Sequence, residues 1–162
     1  MTISVGDKLP EATLVRMGDE GPQEVSLSSL TAGRDVVLFA VPGAYTGVCT
    51  TAHVPSFIRT MDQFKERGVD EIICVSVNDP FVMSNWGETT GATKAGIAMV
   101  GDPAAALTKA LGMDFSAPPV GLIDRSKRYA MHVVDGEVKV LNVEESPGTC
   151  EVSAGEGLLD DM

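Results

Sequence analysis

The run Asp35-Val36-Val37-Leu38-Phe39-Ala40-Val41 leads without interruption into Pro42-Gly43-Ala44-Tyr45-Thr46-Gly47-Val48-Cys49. Its first half is almost continuously apolar, the pattern of a strand buried on both faces, and Pro42 and Gly43 stop it. Beyond Cys49 the apolar residues Val54, Phe57, Ile58, Met61 and Phe64 recur with helical spacing, the stripe of a helix packed on a sheet. A thiol therefore stands where a strand hands over to a helix. Unpaired N–H groups and the positive end of the helix dipole favour a thiolate there. Sites of this kind bring a cysteine pKa from about 8.5 down to ~3.5–7.5. Cys49 is the candidate nucleophile.

Working outward, Gly68 ends the helix, and Pro55 inside it lacks a backbone donor, so a kink is expected between the Cys49 turn and the longer part. Glu71 to Val77 reads as a second buried strand. Asn78-Asp79-Pro80 breaks it before a helix over Phe81 to Trp86. Ala98 to Val100 is a third strand, and Asp102 is the expected N-cap of a helix over Ala104 to Leu111, with Pro103 at its first position and Gly112 closing it. Arg128 to Val134, Asp135-Gly136 and Glu137 to Val143 form an antiparallel hairpin, since Asp-Gly supplies the positive φ angles of a two-residue turn. Residues 1 to 34 read as irregular or short-stranded, with one helical turn over Ser26 to Leu30, covering one edge of the core. In the Gly-, Ser- and Glu-rich tail, Leu158 and Leu159 mark a terminal helical stub. The alternation of strands and helices implies a parallel core. The whole is an α/β chain with a mixed central sheet, helices on both faces and a C-terminal hairpin, the thioredoxin-like arrangement, in a single domain over 1–162.

The 162 residues, 44% of them apolar and 22% charged, are enough for one buried core. A formal net charge of −11 with scattered basic residues excludes the electrostatic footprint of nucleic-acid binding and disfavours anionic membranes. No apolar run approaches the ~18 residues of a membrane span and no basic leader precedes one, so a cytoplasmic protein is expected. Cys49, Cys74 and Cys150 fit neither a disulfide framework nor a zinc knuckle, and with only His53 and His132 available no metal site is expected.

Pro42, Thr46 and Cys49 match the active-site pattern of the peroxiredoxins: Pro, three residues, Thr, two residues, Cys. The chain also resembles their type II, or peroxiredoxin 5, subfamily in His53-Val54-Pro55, in Gly68 to Cys74, in Ser76 to Phe81, at Trp86, in Lys127-Arg128-Tyr129 and in Leu141 to Glu144. The resemblance implies a thiol peroxidase that reduces hydrogen peroxide and small alkyl hydroperoxides through a sulfenic acid at Cys49, with no cofactor. It implies thioredoxin, glutaredoxin or glutathione as reductant, and a homodimer formed through the apolar rims of the active-site loops. Arg128 is by resemblance the active-site arginine, with Arg125 and Lys127 as local competitors. Thr46 is placed to point its hydroxyl at the sulfur or the peroxide, Pro42 to shield the sulfur, and the N–H groups of Val48 and Cys49 to hold the departing oxygen anion. Three positions depart from the family pattern: Gly47 where Pro is common, Ser56 where Gly is common, and Tyr45 for Phe.

Three alternatives stand open for the step after the sulfenic acid: Cys150 in the polar tail resolves it, Cys74 resolves it, or neither does and an external thiol attacks directly. His53, one helical turn after Cys49, invites a Cys–His dyad, but a structural contact is the expectation. Two rival classes are a thioredoxin-like disulfide oxidoreductase, which would need a second cysteine where Thr46 stands, and a non-enzymatic redox-sensing holdase.

Overall fold

The computed structural model describes residues 2–162, so Met1, the first residue of the expected N-terminal segment, lies outside the described residues. In chain order the elements are β1 (Thr13–Gly18), β2 (Gly21–Ser26), α1 (Leu27–Thr31), β3 (Asp35–Val41), a π-helical turn (Cys49–His53), α2 (Val54–Glu66), β4 (Glu71–Ser76), α3 (Pro80–Thr90), α4 (Ala92–Ala95), β5 (Ala98–Gly101), α5 (Ala106–Ala110), β6 (Asp114–Ala117), a 3₁₀ turn (Pro118–Val120), β7 (Leu122–Ser126), β8 (Tyr129–Val134), β9 (Glu137–Val143) and α6 (Gly155–Asp161). Seven strands form one sheet in the order β2-β1-β5-β4-β3-β8-β9, and β6 pairs with β7 apart from it. β3, β4 and β5 run parallel, while β8 runs antiparallel to β3. This is the mixed α/β sheet expected.

β3 lies between β4 and β8, so its alternate side chains enter two separate cores. Val36, Leu38 and Ala40 join Ile73, Val75, Tyr129, Met131, Leu107 and Leu111 on the face covered by α1 and α5. Val37, Phe39 and Val41 join Cys49, Cys74, Phe57, Phe64, Met83 and Trp86 on the face covered by α2, α3 and α6. Burial on both sides is why this strand reads as an unbroken apolar run.

The expected kink at Pro55 is a π turn. Val54 N–H bonds back to Cys49 O, one residue further than in an α-helix, and α2 then starts with Pro55 in its first turn, where no donor is missed. Hydroxyls take up carbonyls around this irregularity: Thr51 Oγ1 donates to Gly47 O at 3.0 Å, Ser56 Oγ to His53 O at 2.6 Å and Thr60 Oγ1 to Ser56 O at 2.8 Å.

The short strands expected in the N-terminal segment do form, as a β-hairpin that extends the edge of the sheet beyond β5, and the expected helical turn is α1 with Ser26 as its N-cap. Other expectations need correction. β4 ends at Ser76 and α3 extends from Pro80 to Thr90. α5 begins at Ala106, because Ala105 adopts φ 57°. Asp102 therefore caps from further back, its carboxylate accepting from Leu107 N at 3.2 Å and Thr108 N at 2.8 Å. The β6–β7 hairpin was not expected at all. The Asp135-Gly136 turn is as read, with φ 49° and 77°, although β8 begins one residue after Arg128.

The tail returns onto α2. Gly155 N–H donates to Ser56 Oγ at 2.9 Å, and a Cβ on Gly155 would press on the Thr60 hydroxyl and lie 2.7 Å from Ser56 O. Gly155→Ala is therefore expected to cost about 1–3 kcal/mol, the scale of overpacking, measured as a lower midpoint in urea with an unchanged slope. An unaffected midpoint would mean that α6 does not dock this way.

Candidate active site

The loop from Pro42 to Val48 is pinned from two sides. Ala44 N donates to Asn78 Oδ1 at 2.9 Å, Tyr45 holds a left-handed φ of 66°, and its hydroxyl pairs with Asn85 on α3. On the other side Arg125 Nη1 donates to Pro42 O at 3.2 Å. Arg125 comes from β7, so the hairpin missing from the sequence reading supplies part of the support for this loop.

This scaffold brings Thr46, Cys49 and Arg128 together. Cys49 is fully buried. Its Sγ lies 2.7 Å from Thr46 Oγ1 and 3.1 Å from Arg128 Nη2. Thr46 Oγ1 also lies 2.7 Å from Gly43 O. One hydroxyl proton serves two acceptors, so Thr46 can accept from a thiol while bonding Gly43, or turn its proton onto a thiolate. Thr46 and Arg128 both line a cavity of about 310 Å³ whose other walls include Pro42, Val48, Leu122 and Pro147. Pro42 and Val48 thus face the same space as Thr46 and Arg128, the two side chains in contact with the sulfur.

Arg128 is the unusual residue here. It is 2% exposed, and among the described residues none of the ion pairs includes it. A buried guanidinium without a carboxylate carries a large desolvation cost unless its donors and charge are met otherwise. Nε and Nη2 donate to Pro147 O at 3.2 and 3.0 Å, and Nη1 faces His53 Nδ1 at 3.0 Å. Of the atoms it contacts, Cys49 Sγ is the one able to take up a balancing negative charge. Of the two competitors, Arg125 serves the loop backbone, and Lys127 N bonds Met113 O at the preceding turn.

His53 forms no bond to Cys49. Its fully buried ring packs on Phe39 and Phe57 with centroids 4.9 and 5.6 Å away. Burial, reinforced by the Arg128 charge, lowers its pKa from 6.5 to about 3. The structural reading of His53 thus holds, but its partner is the arginine, which sequence spacing could not indicate.

The three cysteines are free. Cys74 lies fully buried in β4, opposite Phe39 of β3 and Met99 of β5, and burial raises its pKa well above the ordinary thiol value. Cys150 is half-buried in the loop after β9, and burial raises its pKa too. Pro147 and Gly148 of that loop form part of the cavity wall.

The sequence pattern of the Redoxin family matches residues 4–159. The chain is 49% identical over 162 residues to the chloroplastic peroxiredoxin-2E-2 of Oryza sativa subsp. japonica, covering 98% of this chain and 72% of that relative. It is 44% identical over 159 residues to peroxiredoxin-2B of Arabidopsis thaliana, covering 97% and 96%. The crystal structure of reduced Prx3 from Vibrio vulnificus in complex with hydrogen peroxide superposes with a TM-score of 0.92 at 46% identity, covering 99% of each chain.

Because His53 is held neutral in the fold, the unfolded chain binds a proton that the folded chain excludes between pH 6.5 and about 3. That contribution to stability is complete above pH 6.5 and is lost as pH falls through the window. Urea midpoints of His53→Asn are expected to fall less steeply from pH 7 to pH 4 than those of the wild type; parallel profiles would show that His53 is not buried neutral.

Proposed function

This chain belongs to the peroxiredoxins and is a thiol peroxidase, and we propose that Cys49 is its peroxidatic residue, Thr46 and Arg128 its activating partners, and Pro42 its shield. The observation that carries this reading is the buried Arg128 guanidinium, paired with no carboxylate and donating to Cys49 Sγ at 3.1 Å. The Cys49 thiolate attacks one peroxide oxygen. The S–O bond forms as the O–O bond breaks, the electron pair leaves with the distal oxygen, and that oxygen takes a proton to depart as water or an alcohol. Cys49 is left as a sulfenic acid. Arg128, touching sulfur and cavity at once, is suited to follow the charge as it moves from sulfur to oxygen, and the N–H groups of Val48 and Cys49 at the helix start assist. The apolar walls and the buried sulfur favour hydrogen peroxide and small alkyl hydroperoxides.

Cys150 is the resolving residue in this reading. Its loop already forms a wall of the cavity, whereas Cys74 would have to leave the centre of a sheet paired on both sides. A disulfide needs Cα atoms within about 7 Å, which local unwinding of the Cys49 π turn would allow. The sulfenic acid is attacked by the Cys150 thiolate, water leaves, and thioredoxin reduces the resulting disulfide; glutaredoxin or glutathione would serve if Cys150 did not resolve. We place this cycle in the cytoplasm.

One equivalent of hydrogen peroxide, followed by denaturing quench, thiol counting and intact mass, tests the assignment. The wild type and Cys74→Ser are expected to lose two thiols, Cys150→Ser to stop at a trappable sulfenic acid, and Cys49→Ser to stay unmodified. A stall in Cys74→Ser instead would exchange the two roles, consumption of Cys49 alone throughout would make the enzyme one-cysteine, and an unmodified Cys49 in the wild type would remove the peroxidatic assignment.

The exposed side chains of Tyr45, Phe81, Val120 and Ile123 support a homodimer, because exposed large apolar groups favour association. Sedimentation velocity at micromolar concentration is expected to give twice the 17.0 kDa chain mass, with Phe81→Asp shifting it to the monomer.

A further inference from the structure

Beyond the residues that face the peroxide, the described structure contains a closed ring of hydrogen bonds that begins and ends on Arg128. His53 Nε2 lies 2.9 Å from the carbonyl oxygen of Ser153, which can only accept, so Nε2 carries the ring proton. The lone pair of Nδ1 is then free to accept from Arg128 Nη1 at 3.0 Å. Ser153 is fully buried and is held by Glu144: its N and Oγ donate to Glu144 Oε2 at 2.8 and 2.5 Å, and Glu151 N donates to the same oxygen at 2.8 Å. Glu144 N in turn donates to Arg128 O at 2.9 Å. The arginine is gripped through its side chain at one end of the ring and through its backbone at the other.

We propose that His53 and Glu144 are positioning residues of the peroxidase reaction, which act on Cys49 only by aiming the Arg128 guanidinium, and that they make the Cys150 loop an arm of the active site.

The chemistry of each member fits that role. Guanidinium is planar and its donors point in fixed directions, so a small rotation takes Nη2 off the sulfur. Pro147 O accepts from Nε and Nη2 on one side of the fork, and His53 fixes Nη1 on the other. The His53 ring packs at a tilt against the stacked pair Phe39 and Phe57, which restricts its rotation. Burial works against ionisation of Glu144, but the bonds from Ser153, Glu151 and Thr149 hold its carboxyl below the ordinary carboxylate value. It is therefore an anion that closes the loop at neutral pH. Neither residue touches the cavity, so neither would be found by looking for groups within reach of a peroxide.

This inference rests on Cys49 being the peroxidatic residue, and the test separates the two. Trp86 is the single tryptophan, and its Nε1 donates to Thr50 Oγ1 at 3.1 Å, beside Cys49. Its emission in stopped flow reports oxidation of the reduced full-length chain by hydrogen peroxide. His53→Leu and Glu144→Gln are each expected to slow the second-order rate roughly tenfold, the scale of one hydrogen bond to a charged group. His53→Asn, whose Oδ1 can stand in for Nδ1, is expected to return to within about threefold of wild type. In an Arg128→Gln background the same changes should alter the rate by less than about twofold, because the group they aim is gone. Wild-type rates in His53→Leu and Glu144→Gln would overturn the proposal. So would an equal loss with and without Arg128, or a His53→Asn variant as slow as His53→Leu. Should His53→Leu not fold, Glu144→Gln across the two backgrounds carries the same decision. A wild type unresponsive to peroxide would instead remove the peroxidatic assignment.

Discussion

A guanidinium buried to 2% exposure with no carboxylate in contact is costly to keep in a protein, and the structure around Arg128 is organised to meet that cost. Its side-chain donors go to a carbonyl, an imidazole nitrogen and a sulfur, two neutral acceptors and one group able to carry a negative charge. No acidic side chain supplies a counter-ion, and of these acceptors only Cys49 Sγ can take up negative charge. A carboxylate in that place would bind the arginine more strongly and would take from the thiolate the charge that stabilises it. Peroxide reduction passes negative charge from sulfur to oxygen over a short distance, and a cation held between them with no stronger partner is free to follow it.

The irregular backbone beside Arg128 has a cause of its own. Pro55 cannot donate, so a regular α-helix running through it from Cys49 would leave the Thr51 carbonyl unmet. The π turn at Cys49–His53 resolves this locally and sets His53 at the depth where its ring meets Arg128 and Ser153. Ser56, where the family commonly has Gly, bonds the His53 carbonyl and receives Gly155 N–H, so it ties the turn to the tail. Gly47 opens the helix with open space where its Cβ would be, and Tyr45 adds to the usual aromatic ring a hydroxyl bonded to Asn85. These departures adjust how the loop is anchored and leave Thr46 and Cys49 in contact.

Strong local signals translated directly into elements. The unbroken run Val36–Val41 became the strand between β4 and β8, the Asp135-Gly136 pair became a hairpin turn, and the α2 stripe faced the core. The elements not foreseen are those in which local pattern and tertiary need diverge. β6 and β7 are short and separated from the main sheet, without an apolar alternation long enough to mark them. β2 buries only Val25, and β1 only Leu14. Asp102 was recognised as a helix cap, but the left-handed Ala105 moved the helix start, and no residue type announces that conformation.

By itself the sequence determined the strand-to-helix placement of Cys49, the Thr46 spacing, the two-core character of β3 and, through family resemblance, the identity of Arg128. These depend on neighbours in the chain or on motifs whose spacing is fixed. Only the tertiary structure decided that His53 serves the arginine rather than the cysteine, that Arg125 supports the loop, and that the segment after β9 closes the site through Glu144 and Ser153. The contacts of His53 with Arg128, of Arg125 with Pro42 and of His53 with Ser153 join residues 75 to 100 positions apart. Their geometry is set by how the sheet brings β3, β8 and the tail together, and residue spacing along one strand or helix holds no record of it.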